Sequence, residues 1–555
     1  MKKFPSFRKI LLQGEDMSVR EKELQNKEKQ LLKSEIELLN KETELQNKET
    51  DLQKREKELQ TPESGCQKKE TELQKDINKI FHEVDSKILK ISFTHIDNTT
   101  KAQNSKAIII DPKDKYCVGD SLIVQVDMFD YLGKKKTFGG DFIMARIYSP
   151  DIKASISGRV EDLNNGSYHI YFTLFWEGTV HFSILLIHPS EGVSALWKAR
   201  NKGYGYTAHT GRFVSQGKDA QTQCAFKLNI SQELCEYSNP KEEEYFYCKK
   251  PANMSCGSMV QLMSVFVDSH SFFSEKEKQL FDSTNICLEI SKNFETISVS
   301  QCNNESKKEE MKKCSAGMKY NYPSGYFYQN MWNPLYCSIS RYRTMDAINE
   351  CMKGKIIYMI GDSTMFQWVT YINNHVNSLK LFNLYNENWP MTRLYIDTER
   401  NIKIEWRKHA FPFIMLVFHT FKEEFTIPQQ IDQIPGNQHT VVVFTLGMHF
   451  RLFPLQHYIR RIINIRRAIE RLHLRSPETK VVVKAENTSD LLDRLEILNN
   501  FHGYLQYSLM MEIFQGLNIA VVDAWDMSIA YASQKTHPPE EVIANEIDLL
   551  LTYMC

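Results

Sequence analysis

Hydrophobic positions along the chain follow four rhythms, and each predicts a different kind of element. From about residue 20 to 90, leucine recurs every seven residues, at Leu24, Leu31, Leu38, Leu45, Leu52 and Leu59. The phase resumes at Leu73 and Ile80 after Pro62 and Gly65. Such spacing keeps a seam on one helix face and favours a left-handed coiled coil. The second seam position is mostly Lys, Glu or Ser, with only Leu32, Ile36 and Leu39 thickening the stripe. Residues 1–92 are therefore expected to form a heptad helix, either a weakly self-associating coil or a solvated stalk.

From residue 107 the rhythm shortens to β-branched, partly alternating runs at 107–110, 121–129, 142–148, 153–160, 168–173 and 178–187. Asn165-Gly166 supplies a hairpin-type turn before one of them. Regular short strands separated by turns predict a β-sandwich of Ig-like type over 107–200. Residues 201–345 are rich in Cys, Tyr and Gly with few regular runs, and read as an irregular, disulfide-stapled region. Its aromatics, among them Tyr245, Phe246, Tyr326, Phe327 and Trp332, either pack around cystines or line a binding surface.

Over 346–555 the pattern becomes α/β. Near-continuous apolar runs at 355–360, 440–446, 480–485 and 518–523 fit strands buried on both faces. Helical patterns at 456–474, 490–500 and 538–554 alternate with them. This alternation predicts a flavodoxin-like parallel sheet with helices on both faces. The 555-residue chain is thus multidomain.

Composition narrows the chemistry. The 69 basic residues balance the 69 acidic ones, so nothing argues for nucleic acid as a partner. No apolar run approaches the ~18 residues that span a bilayer. Of twelve cysteines, ten lie between Cys117 and Cys351, with Cys66 and Cys555 outside them. No Cys-x-x-Cys occurs, which disfavours a zinc ribbon, and no metal site is expected. The spread set reads better as disulfides in an oxidising compartment. Asn-x-Ser/Thr sequons at Asn98, Asn165, Asn229, Asn253, Asn304 and Asn487 agree with a secretory chain, Golgi-luminal or secreted. Residues 1–12 carry no apolar core long enough for a signal peptide. The secretory reading therefore expects a start upstream or a form lacking the targeting segment; the other option is a cytosolic chain.

The sharpest motif is Gly361-Asp362-Ser363, set between an apolar strand and an amphipathic helix. That context places a serine where a helix N-terminus offers N–H groups and a positive dipole to a developing oxyanion. The same three letters at Gly119-Asp120-Ser121 run into a strand pattern instead, and are read as structural. In a parallel sheet the site lies at the carboxyl ends of the strands. Gly447-Met448-His449, Glu486-Asn487 and Asp523-Ala524-Trp525-Asp526 follow three further strand ends, and His537-Pro538-Pro539 precedes the last helix. A serine hydroxyl needs a base, and His537 is the candidate, with His449 shaping the site or donating to the oxyanion.

These residues carry a resemblance. Gly361-Asp362-Ser363 and His537-Pro538-Pro539 match the pattern of SGNH hydrolases in the PC-esterase branch. With Leu446-Gly447-Met448-His449-Phe450-Arg451, Phe501-His502-Gly503-Tyr504, Asp523-Ala524-Trp525-Asp526 and Cys555, the chain from about residue 95 resembles the neurexophilin and PC-esterase (NXPE) family. The resemblance implies Ser363 as nucleophile, His537 as base, and Gly447 with the Ser363 N–H as oxyanion donors. It implies O-acetyl transfer to, or ester hydrolysis on, glycan hydroxyls such as those of sialic acid. Acetyl-CoA would be the acyl donor, with no tightly bound cofactor. The branch usually places Asp three residues before the histidine; here that residue is Gln534. Asp526, then Asp523, is expected to substitute. The alternative is a catalytically inactive, secreted, neurexophilin-like protein that binds a cell-surface partner.

Overall fold

In the computed structural model, residues 71–228, 233–267, 271–302, 311–319, 321–382, 392–423, 425–489, 494–533 and 535–555 are described. Most of the heptad run lies outside them, as do Asn229, Asn304 and Gln534. The end of that run is the helix Glu72–Lys87. Its buried residues Ile77 and Val84 occupy the second seam, one heptad apart. Phe81 stacks on Trp197 with ring centroids 5.6 Å apart. The Trp197 Nε1–H donates to Asp85 at 2.8 Å. From Ile77 onward this helix is thus fixed to the helix Ser190–Arg200 of the same chain.

The short-strand region builds two sheets that share one apolar core. One includes Lys106–Ile109, Ser121–Asp127, Ser167–Thr173 and Arg159–Asp162; the other includes Ala154–Ser157, Phe142–Ser149 and Gly178–His188. Alternation sets the faces: Leu122, Val124 and Val126 point into the core from a strand whose other residues are more exposed. The run predicted at 153–160 is two strands, and the chain changes sheets at Gly158. A Cβ there would lie 2.5 Å from the Phe172 ring, so close packing requires glycine.

The stretch expected to be irregular, 201–345, is distributed among three sheets, with Ser291–Lys292 joining the sheet of Lys106–Ile109. Thr207–Ser215, Lys218–Ala225, Leu234–Glu236, Tyr247–Lys249 and Met259–Phe266 form a six-stranded sheet completed by Met415–Thr420 from much later in the chain. Thr296–Ser300, Gly325–Tyr328 and Met331–Pro334 return to the eight-stranded sheet of the preceding region. Leu234–Glu236, Tyr247–Lys249 and Gly325–Tyr328 are too short to leave a periodicity, and Met259–Phe266 pairs with a strand remote in sequence. The cysteines do what their spread suggested. They form Cys117–Cys302, Cys224–Cys248, Cys235–Cys256, Cys314–Cys337 and Cys351–Cys555, with Cys287 free and exposed. Among the described residues, no helix is long and apolar enough to cross a membrane.

The C-terminal region carries a seven-stranded sheet. Its strands in chain order are β1 (Ile356–Ile360), β2 (Lys380–Phe382), β3 (Arg393–Asp397), β4 (Ile402–Arg407), β5 (Thr440–Thr445), β6 (Lys480–Lys484) and β7 (Ala520–Val522). The spatial order is β2-β3-β4-β1-β5-β6-β7. β4, β1, β5, β6 and β7 run parallel, while β2 and β3 are antiparallel additions at one edge. The parallel strands β5 and β6 are almost wholly buried, as their unbroken apolar runs require. The helices that bear on the site are α1 (Ser363–His375), α2 (Leu455–Arg475), α3 (Ala524–Tyr531) and α4 (Glu540–Met554).

Candidate active site

Four adjacent strands end on the same edge of the sheet. Ser363 follows β1, the Gly447–His449 segment follows β5, Glu486 and Asn487 follow β6, and Asp523 follows β7. The register pairs Ile360 with Phe444, so the turns after β1 and β5 lie side by side. That contact explains Gly361. Its φ is not in the left-handed region, but a Cβ would sit 2.6 Å from Thr445 Cγ2 and 2.9 Å from Met365 Cβ. Glycine serves packing here rather than turn geometry.

Asp362 is the N-cap of α1. Its buried carboxylate accepts from the Thr364 N–H at 2.9 Å and the Thr364 hydroxyl at 2.7 Å. Burial alone would raise its pKa; the imidazoles of His449 and His409 and the Thr364 bonds outweigh this and hold it below the ordinary aspartate value. Asp362 is thus a buried anion that fixes the first turn of the helix, and Ser363 begins that turn, half-buried.

His537 meets the serine. Its Nε2 lies 2.8 Å from Ser363 Oγ, within hydrogen-bond reach for proton transfer. The imidazole is exposed, and the loop bearing it is pinned from two sides. The Thr488 hydroxyl donates to the Ser533 carbonyl at 2.8 Å, and the hydroxyls of Ser489 and Thr536 lie 3.0 Å apart. On the other flank, the Gln367 side-chain amide, one turn along α1 from Ser363, donates to the Pro538 carbonyl at 2.8 Å. None of these three anchors stands out in the sequence. Gln367 has a usable signal, since i+4 on a helix shares the face of residue i.

The two aspartates proposed to orient His537 are engaged elsewhere. Asp526 is buried in the first turn of α3, and its carboxylate accepts from the Ser157 hydroxyl, the Ser324 N–H at 2.6 Å and the Ser324 hydroxyl at 2.8 Å. It joins the sheet edge to the two-sheet region. Asp523 caps α3, accepting from the Asp526 N–H at 3.1 Å and from the Tyr507 hydroxyl at 2.9 Å. Among the described residues no hydrogen bond joins either carboxylate to His537. Burial, then the neighbouring Asp523, pushes the Asp526 carboxyl up to about 7.

Behind the serine turn lies a second buried charge group that the sequence did not reveal. Gly447 packs directly on Glu486: a Cβ would lie 2.7 Å from its carboxylate. Glu486 pairs with the fully buried Arg451 at 2.7 Å. The Arg451 guanidinium also donates to the carbonyls of Leu498, Asn499 and Asn487. This network fixes the Gly447–Arg451 loop. In that loop His449 is half-buried, and its Nδ1 accepts from the Ile414 N–H at 3.3 Å. Burial lowers the His449 pKa, and Asp362 partly offsets the shift. Among the described residues, no group of three or more His, Cys, Asp or Glu is placed to hold a metal ion.

One expected modification site is corrected. Asn487 is buried, and its Nδ2 donates to Ser528 Oγ at 3.0 Å and Glu546 Oε1 at 2.9 Å. Its Oδ1 accepts from the buried Lys484 ammonium at 2.6 Å. A side chain tied into the interior has no room for a glycan. Asn98, Asn165 and Asn253 are exposed.

Fold and site define a disulfide-linked, multi-sheet protein with a serine–histidine pair at the edge of a mostly parallel sheet. Two family models match the chain. One is described as the NXPE family member 4-like C-terminal domain and covers residues 332–555; the other, Neurexophilin, covers 125–268. The chain belongs to the NXPE and neurexophilin family. A crystal structure of the Lin-41 filamin domain also matches, at 20% identity over 16% of this chain and 82% of that one, with a TM-score of 0.14 that carries no weight for the fold.

Proposed function

We propose that this protein is a serine-dependent O-acetyltransferase or acyl esterase acting on glycan hydroxyls, sialic acid of glycoproteins among them. The observation that carries this reading is the 2.8 Å contact between Ser363 Oγ and His537 Nε2 at the N-terminus of α1. In the reaction, Ser363 Oγ attacks the acyl carbonyl while His537 takes the hydroxyl proton. The N–H groups of Ser363 and Gly447 receive the developing oxyanion. The proton passes to the leaving thiolate or alkoxide, and an acyl-Ser363 ester remains. A sugar hydroxyl, or water, then attacks with His537 again as base. Acetyl-CoA is the proposed donor, and no resident cofactor is required. The match to the NXPE C-terminal domain and the five disulfides support a place in the secretory pathway.

A second reading, a catalytically inactive neurexophilin-like protein binding a cell-surface partner, draws support from the Neurexophilin match over 125–268. The engagement of Asp523 and Asp526 away from His537 also favours it. Purified protein incubated with labelled acetyl-CoA and a sialylated glycan, beside Ser363→Ala, separates the two. Serine-dependent label on the glycan, or serine-dependent release of acetate, is expected. Neither appearing would leave the binding reading.

A further inference from the structure

Beside the loop that follows β5 the molecule contains a cavity of about 350 Å³. One wall is Met448, His449 and Leu452, from the loop after β5; the opposite wall includes Ile414 and Leu416, with Phe266 beside them. Among the described residues of the lining, His449 supplies the only polar side chain. The two walls are tied together at that residue, because the Ile414 N–H donates to His449 Nδ1. His449, on the cavity wall, interacts electrostatically with Asp362, the residue before Ser363. β1 and β5 are neighbours in register, so the segment carrying Met448 and His449 leaves the sheet beside the one carrying Ser363. Its size lies within the ~300–1,000 Å³ range of small-molecule sites. An acetyl group would leave most of it empty. Leu416 of the lining is 67% exposed, which gives the cavity an apolar rim.

We propose that this cavity holds the aliphatic chain of an acyl group, longer than acetyl, whose carbonyl is presented to Ser363. The proposal rests on the reading of Ser363 as nucleophile. It takes up the acyl-esterase arm of that reading rather than the acetyl-CoA arm, and names the acyl part of the substrate as a medium-length fatty acyl ester or thioester. The chemistry is that given above: the Ser363 Oγ–carbonyl carbon bond forms, the bond to the leaving oxygen or sulfur breaks, and the proton taken by His537 goes to the leaving group. The chain itself makes only apolar contacts. Its gain is therefore set by length, at about fourfold in kcat/KM per buried methylene until the cavity is full.

The test compares acetyl, butyryl, hexanoyl and octanoyl p-nitrophenyl esters on the full chain, with Ser363→Ala as control. Ile414→Trp fills the cavity, and Leu416→Glu places a charge at its exposed rim. In parallel, octanoate binding to the Ser363→Ala protein is measured by calorimetry, with and without Ile414→Trp. The expected result is a serine-dependent rise of about fourfold per added methylene, on the order of a thousandfold from acetyl to octanoyl. Ile414→Trp and Leu416→Glu should remove that rise and leave acetyl turnover in place, and Ile414→Trp should remove octanoate binding. Serine-dependent acetyl hydrolysis that does not rise with chain length overturns the proposal while leaving Ser363 as nucleophile. A rise that survives both cavity variants, or absence of octanoate binding, also overturns it. No serine-dependent turnover of any ester overturns the nucleophile reading and this proposal with it.

Discussion

At Gly119-Asp120-Ser121 the aspartate reaches back, accepting from the Cys117 N–H at 2.8 Å and pairing with Lys113 at 2.9 Å. At Gly361-Asp362-Ser363 it reaches forward, capping a helix through Thr364. Ser121 opens a strand, whereas Ser363 opens a helix with an imidazole 2.8 Å away. Even the glycines differ in purpose. Gly119 has φ +96° and open space around its Cβ position; Gly361 has an ordinary φ and no space. The same three residues thus build a surface turn in one place and a candidate nucleophile in another. What separates them is the element that follows and the loop that arrives from far along the chain.

A graded set of substitutions separates the two turns. Ser363→Ala should lower acyl release by about a thousandfold or more, while Ser121→Ala leaves it intact. His537→Ala should lower it comparably, and the double variant should lose little further, because the two act as a unit. Steady-state kinetics on an activated ester reads both. Thr488→Val and Gln367→Ala, which release the His537 loop without touching the reacting atoms, should reduce kcat by roughly tenfold and leave KM nearly unchanged.

Stability extends the contrast. Gly361→Ala should cost about 1–3 kcal/mol through overpacking against Thr445. Gly119→Ala should cost about 1 kcal/mol through backbone strain alone. Urea melts at matched pH measure both. A further contrast concerns pH. Asp526 has its pKa raised to about 7, above that of an unfolded aspartate. Between those two values the folded protein binds the extra proton, so the contribution of this group to stability falls as pH rises toward 7. In Asp526→Asn that part of the slope should vanish, with activity retained. Melting temperatures from acid to neutral pH, compared with wild type, check the prediction.

Much of the sheet edge that bears Ser363 was legible in the sequence because buried parallel strands write themselves as apolar runs. The predicted runs at 355–360, 440–446, 480–485 and 518–523 correspond to β1, β5, β6 and β7, with ends displaced by no more than two residues. Asp526 was a different matter. Its place after a strand end was visible, but Ser157 and Ser324, which hold it, come from a distant part of the chain. The Asn487-Thr488-Ser489 triplet misled for a related reason. It has the letters of a surface modification site, and its side chains bind Glu546, the Ser533 carbonyl and Thr536. The six-stranded sheet was hidden because its edge strand, Met415–Thr420, lies well over a hundred residues beyond its partner Met259–Phe266.

The disulfide between Cys351 and Cys555 spans 204 positions of sequence and encloses the serine, the histidine and every strand of the parallel sheet. The region is therefore a covalent ring. A protease that nicks a loop inside it opens the ring without freeing a fragment. A nicked molecule should migrate as one species until reductant is added, and only then as two. In a protease-rich environment, a single cut between Ser363 and His537 leaves both on the same molecule.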